Sequence, residues 1–131
     1  MTRLAPKAAA LAAIALLGLP AMAQAHHSFA MFDATKTVTL KGVVKEFQWS
    51  NPHVILWVYA DPAAAGPAEL WSIELTSPGN LTRQGWTRQS LKAGDKVSVD
   101  INPLRDGERG GAIKKATNLE TGQSWVGGRA G

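Results

Sequence analysis

Thr37-Val38-Thr39-Leu40-Lys41-Gly42-Val43-Val44-Lys45-Glu46-Phe47-Gln48-Trp49 is the stretch whose reading decides the fold. Val38 and Leu40 alternate with Thr37, Thr39 and Lys41, the period-two pattern of a strand that buries one face. Beyond Gly42 the apolar set moves to Val43, Phe47 and Trp49, a change of parity. A one-residue register change beside a glycine is what a β-bulge produces, and it bends a long strand so that it serves two sheets. A long, bent first strand points to a small Greek-key barrel.

The residues that follow supply the remaining elements of such a barrel. Ser50-Asn51-Pro52 is a turn, because Asn and Pro initiate turns and Pro cannot donate to a ladder. Residues 53–60 form a second strand that is apolar on both parities: Val54, Leu56 and Val58 on one, Ile55, Trp57 and Tyr59, with His53, on the other. After a loop with two prolines and a glycine, residues 69–75 alternate as a third strand, with Trp71, Ile73 and Leu75 facing inward. Ser77-Pro78 reads as an N-cap followed by Pro at the first helical position, and Gly85 closes the short helix. Thr87 caps a further turn running to Leu91, and Lys92-Ala93-Gly94-Asp95 turns the chain into a fourth strand at 96–102, with Val97, Val99 and Ile101 inward. Residues 103–111, rich in glycine and charge, read as a flexible loop, 112–119 as a less regular fifth strand, and 120–123 as a turn toward Trp125-Val126. Three strands, a short helix between strands 3 and 4, then two more strands is the element order of a mainly β, five-stranded OB-like Greek-key barrel. Residues 26–36 form an arm ahead of it, 37–126 the domain, and 127–131 a flexible tail.

The first 25 residues read as a signal peptide. Arg3 and Lys7 make a positive start, 8–19 is an uncharged apolar run, Pro20 breaks it, and Ala23-x-Ala25 is a small-residue cleavage site. The run is shorter than the roughly 20 residues a bilayer-spanning helix needs, so no stable membrane anchor is expected after cleavage. Two of the fourteen Lys and Arg leave with this segment, so twelve basic residues face ten acidic ones in residues 26–131. That near balance, without a Lys/Arg run, speaks against nucleic-acid binding. The chain has no cysteine, which excludes disulfides, thiolate metal sites and cysteine nucleophiles. The expected location is periplasmic or secreted.

Cleavage after Ala25 creates a chelating N-terminus: His26 then carries an α-amine and an imidazole, with the His27 imidazole beside it. Nitrogen donors in a tetragonal array favour copper, and Cu²⁺ heads the divalent affinity order. His53 is the expected closing ligand, since the arm spans about ten residues and reaches up to roughly 33 Å when extended. Glu74 ranks lower, as a ligand or as the carboxylate that orients one, and Met31 is a soft donor suited to Cu⁺. Solvation accounts equally for histidines at a chain end, and a hydrogen bond to a turn carbonyl for a histidine after Asn-Pro. Trp49, Trp57 and Glu74 mark a candidate ligand-binding face on strands 2 and 3, although core packing also explains tryptophans in a cysteine-free domain. Ser28 beside His27 lacks an orienting acid, and no G-x-S-x-G, H-E-x-x-H or phosphate loop is present, so the expectation is a non-enzyme. A copper oxygenase built on the histidine pair would need an open site and an electron route, which this short chain does not suggest. Two function classes therefore stand: a copper-binding exported protein, and a metal-free module that binds a peptide, a glycan or an envelope protein.

Several motifs occur in order: His26-His27-Ser28-Phe29-Ala30-Met31-Phe32-Asp33, Phe47-x-Trp49-x-Asn51-Pro52-His53, Trp71-Ser72-x-Glu74, Gly85-Trp86-Thr87-Arg88, Gly94-Asp95 and Pro103-Leu104-Arg105-Asp106-Gly107. Together they resemble the domain-of-unknown-function 6152 family of small exported bacterial proteins. The resemblance implies export and a small β-rich domain, and carries no established activity.

Overall fold

A computed structural model gives the fold of residues 29–128; the expected signal segment, His26, His27 and residues 129–131 lie outside the described residues. A 3₁₀ turn at Phe29–Met31 leads into β1 (Val38–Gln48), β2 (Ile55–Ala60) and β3 (Glu69–Glu74). Helix α1 (Pro78–Arg83), β4 (Lys96–Pro103), β5 (Gly110–Asn118) and a short β6 (Ser124–Val126) follow. β1 pairs antiparallel with both β2 and β4, β2 with β3, and β4 with β5. Parallel pairing of Ser72, Ile73 and Glu74 with Gly110, Gly111 and Ala112 then closes five strands into a barrel. This is the expected OB-like connectivity, with β6 added along the second half of β5.

Burial explains why the strands sit in this register. Val54, Leu56 and Val58 on or beside β2, and Val97, Val99 and Ile101 on β4, are all fully buried. Slipping either strand by one residue would turn these side chains to water. At about 2 kcal/mol for each such side chain, three per strand outweigh any single cross-strand pair.

The bulge in β1 lies elsewhere than the sequence suggests. Val38, Leu40, Gly42 and Val44 keep one parity, and Val44 is buried while Val43 stands exposed. The register shifts between Val44 and Glu46, leaving Lys45 unpaired, and only then do Phe47 and Trp49 turn toward the core. Gly42 has a different task. It pairs with Ala60 of β2 and Val97 of β4, where β1 is shared between its two neighbours, and a Cβ there would stand 2.0 Å from the Tyr59 carbonyl oxygen.

Helix α1 forms as its ends require. Ser77 Oγ accepts from the Asn80 N–H at 3.3 Å, Pro78 opens the first turn, and Gly85 adopts φ +89 to reverse the chain. The reversal drives Trp86 into the barrel, where it is fully buried beside Leu81. Trp86 stacks on Trp125 at 5.5 Å between ring centres, lies 6.0 Å from Phe47, and donates its indole N–H to the Val126 carbonyl at 3.0 Å. Trp86 is thus the centre of the plug, and Trp71, expected as core, is a half-buried residue packed against the core cluster.

Two expected boundaries move. The glycine-rich stretch 103–111 gives its ends to the strands, because Pro103 still pairs with Gly111, and 104–109 loop out. Of the expected tail, Gly127 donates to the Lys114 carbonyl at 3.0 Å and the Gly128 carbonyl accepts from Gln84 Nε2 at 3.1 Å, so both are tied to the barrel.

Candidate functional site

His53 stands just before β2, and Glu74 ends β3. The antiparallel register places Ile55 opposite Glu74, and the ladder continues through the Leu75 N–H to the Val54 carbonyl, 2.8 Å. The two side chains therefore meet on one face of adjacent strands, with His53 Nδ1 2.8 Å from Glu74 Oε1. Both are partly shielded, at 33% and 22% exposure of their side chains. In the neutral tautomer with the proton on Nδ1, Glu74 accepts that proton's hydrogen bond and Nε2 keeps its lone pair. A carboxylate on one imidazole nitrogen fixes the tautomer and ring orientation of a metal-ligating histidine and raises its basicity. Of the two roles sequence allows Glu74, the geometry fits the orienting one.

Glu74 also borders a cavity of about 270 Å³. Phe32 and Ala34 of the arm, Leu75 and Thr76 after β3, Asn102 of β4, Ala112 and Ile113 of β5, and Gly128 complete its wall. β3 and β5 are paired only as far as Glu74 and Ala112, and beyond that point the chain after β3 turns away toward α1. The arm lies across the gap so created. Phe32 bridges to Leu104, the Asp33 N–H donates to the Pro103 carbonyl at 2.8 Å, and the Arg105 N–H donates to the Met31 carbonyl at 2.9 Å.

Asp33 locks this arm. Its Oδ1 accepts from the Thr35 hydroxyl at 2.6 Å and the Thr35 N–H at 3.1 Å, and Lys36 Nζ and Arg105 Nη1 lie 3.5 and 3.8 Å from its oxygens. The Thr35 hydroxyl above all holds the carboxyl below the ordinary carboxylate range; partial burial opposes this, and the Thr35 N–H, Arg105 and Lys36 reinforce it. A depressed folded pKa means that the contribution is complete above the unfolded value and is lost as pH falls through the folded one. The amide resonances of Thr35 and Lys36 should therefore move together on acidification, with a midpoint below that of a free aspartate, and Asp33→Asn should remove the transition. A midpoint at or above the free value would contradict the lock.

The structure separates the two tryptophans of the expected ligand-binding face. Trp57 faces outward on β2 with Ile55 and Tyr59 and lies 3.4 Å from Gln48 Oε1 through its indole N–H. Trp49, past the Lys45 bulge, packs edge-on against Phe47 at 5.7 Å and leans on the core. Glu74 shares the outward face of Trp57. Among the described residues no group of three or more His, Cys, Asp or Glu side chains is assembled, so the His53–Glu74 pair stands by itself there. Sequence reasoning missed Phe32, Asn102, Ala112 and Ile113 as wall residues. The signal available was the antiparallel pairing of strands 2 and 3, which brings His53 to Glu74; nothing local marks the wall of a gap between strands far apart in sequence.

Neither the curated proteins nor the solved structures contain a match to the chain. The profile of the Family of unknown function (DUF6152) matches residues 13–114. That span takes in the arm, the His53–Glu74 pair, α1 and the first four strands, and on that match the chain belongs to the Family of unknown function (DUF6152).

Proposed function

We propose that the protein is an exported metal-binding module, periplasmic or secreted, that holds a copper-like ion between its processed N-terminus and the barrel. The observation that carries this reading is the 2.8 Å contact of His53 with Glu74 on the border of a cavity that the root of the arm also lines. Glu74 prepares one imidazole nitrogen as a donor. The α-amine and the imidazoles of His26 and His27 supply the others. His27 stands five positions ahead of Phe32, which lines the cavity, so its backbone is tethered within about 17 Å of that wall. The role of such a site is capture or delivery of the ion, or service to a partner in the envelope.

The test is a Cu²⁺ titration followed by electron paramagnetic resonance on protein starting at His26. Placing a Met ahead of His26 keeps both imidazoles but moves the amine, and His53→Ala removes the closing donor. Each change should weaken binding by at least about tenfold, or 1.4 kcal/mol, and alter the nitrogen couplings. Glu74→Gln should weaken it by about tenfold through the loss of orientation alone. Equal affinities and spectra throughout would sink the assembled site. They would favour the second reading, a metal-free module for a peptide, a glycan or an envelope protein, which rests on the outward row of Val43, Tyr59, Leu70 and Trp57 across β1, β2 and β3.

A further inference from the structure

The cavity beside Glu74 is more than the floor of a metal site. Five segments contribute to its wall: the arm, the end of β3, the end of β4, the start of β5 and the residues after β6. Most of that wall is hydrocarbon from Phe32, Ala34, Leu75, Ala112 and Ile113. Among the described residues, Glu74 is the only one on that wall with a formal charge, and no Lys or Arg lines it. Glu74 Oε1 is taken by His53, and Oε2 has no hydrogen-bond or ion-pair partner among the described residues. Of the two polar neighbours, Asn102 adds an acceptor and Thr76 a hydroxyl. Asn102 uses its amide nitrogen on the Lys36 carbonyl at 2.7 Å, so its side-chain oxygen has no partner among the described residues, and Thr76 Oγ1 already accepts from Asn80 Nδ2 at 2.9 Å. An apolar chamber whose single charge is a partly shielded carboxylate attracts a cation with a hydrocarbon body. It repels an anion, and it gives a neutral isostere only the apolar part of the contact. Its volume of about 270 Å³ is smaller than the usual site for a drug-sized ligand, which limits the guest to one ring or a short branched chain.

We infer that this cavity binds a compact organic ammonium ion, with the hydrocarbon body against Phe32, Leu75 and Ile113 and the N⁺–H group on Glu74. The inference does not depend on copper. Glu74 presents one oxygen to His53 and the other to the guest, so either site can exist without the other.

The experiment uses the chain from His26 with EDTA present. Benzylammonium, benzyl alcohol and benzoate, matched in size and differing in charge, are titrated while the amide resonances of Leu75, Ala112 and Ile113 are followed. Benzylammonium should give saturable shifts at these residues. Benzyl alcohol should bind about tenfold more weakly, the ratio expected from one charge-assisted hydrogen bond, and benzoate should not saturate. Glu74→Gln should bring benzylammonium down to the level of the alcohol. Ala112→Leu, which fills the chamber, should abolish both. Absence of saturable shifts with benzylammonium, equal binding of benzoate, or unchanged affinity in Glu74→Gln would each overturn the assignment. The ligand series on the unaltered chain decides the matter even where a substitution fails to fold.

Discussion

Replacing Trp86 by alanine is expected to lower the unfolding free energy by about 4 kcal/mol, the largest loss from any single side chain of the core. Trp86 is fully buried and touches the barrel through three separate contacts: the stack on Trp125, the tilted contact with Phe47, and the indole hydrogen bond to the Val126 carbonyl. Alanine removes all three and leaves a cavity in the barrel plug, with the Val126 carbonyl unpaired. A domain of this size has a total stability of about 5–15 kcal/mol, so the variant should melt at least about 15 °C lower or be partly unfolded at room temperature. Urea denaturation followed by circular dichroism measures the loss directly. Trp86→Phe keeps the ring stack while losing the hydrogen bond and some volume, and should fall between the two. Trp57→Ala is the control, because Trp57 faces outward and should cost no more than about 1 kcal/mol. A loss below about 1.5 kcal/mol for Trp86→Ala would mean that the plug is not packed as described.

Gly42→Ala should cost about 3 kcal/mol, against the usual gain when glycine inside a strand is replaced. Its Cβ would stand 2.0 Å from the Tyr59 carbonyl oxygen and 2.8 Å from the Ala60 Cα, and both are backbone atoms that no rotamer change can move aside. The collision falls where β1 passes from β4 to β2, so relief requires one of the two ladders to open. Gly42→Val adds two methyl groups at the same place and should prevent folding. Gly66→Ala, in a loop with no atom within 4 Å of its added carbon, should stay within about 0.5 kcal/mol of the parent. Thermal melts of the three variants separate the strand-crossing effect from a general intolerance of glycine replacement. If Gly42→Ala melts with the parent, the close approach of β1 and β2 is not a feature of the folded protein.

Local chemistry in the chain is enough to determine the barrel's parts and their order. Alternation marks β3 and β4 because each buries one face, a continuous apolar run between turn signals marks β2, Ser77-Pro78 and Gly85 bracket α1 because a helix must satisfy its ends, and the sequence of elements matches an OB-like closure. The motifs from His26 through Gly107 likewise suffice for the family. The tertiary structure decided what depends on distance between strands. The apolar pattern alone puts the change of parity at Gly42, and the pairing of β1 with both β2 and β4 carries it past Val44. Five tryptophans look alike as apolar residues, and only the reversal at Gly85 and the arrival of β6 make Trp86 and Trp125 the pair that fills the barrel. His53 and Glu74 are 21 positions apart, and the cavity beside them draws on residues from Phe32 to Gly128. Such contacts are set by how a closed sheet brings distant backbone together, a constraint carried by the whole barrel and by no segment of it.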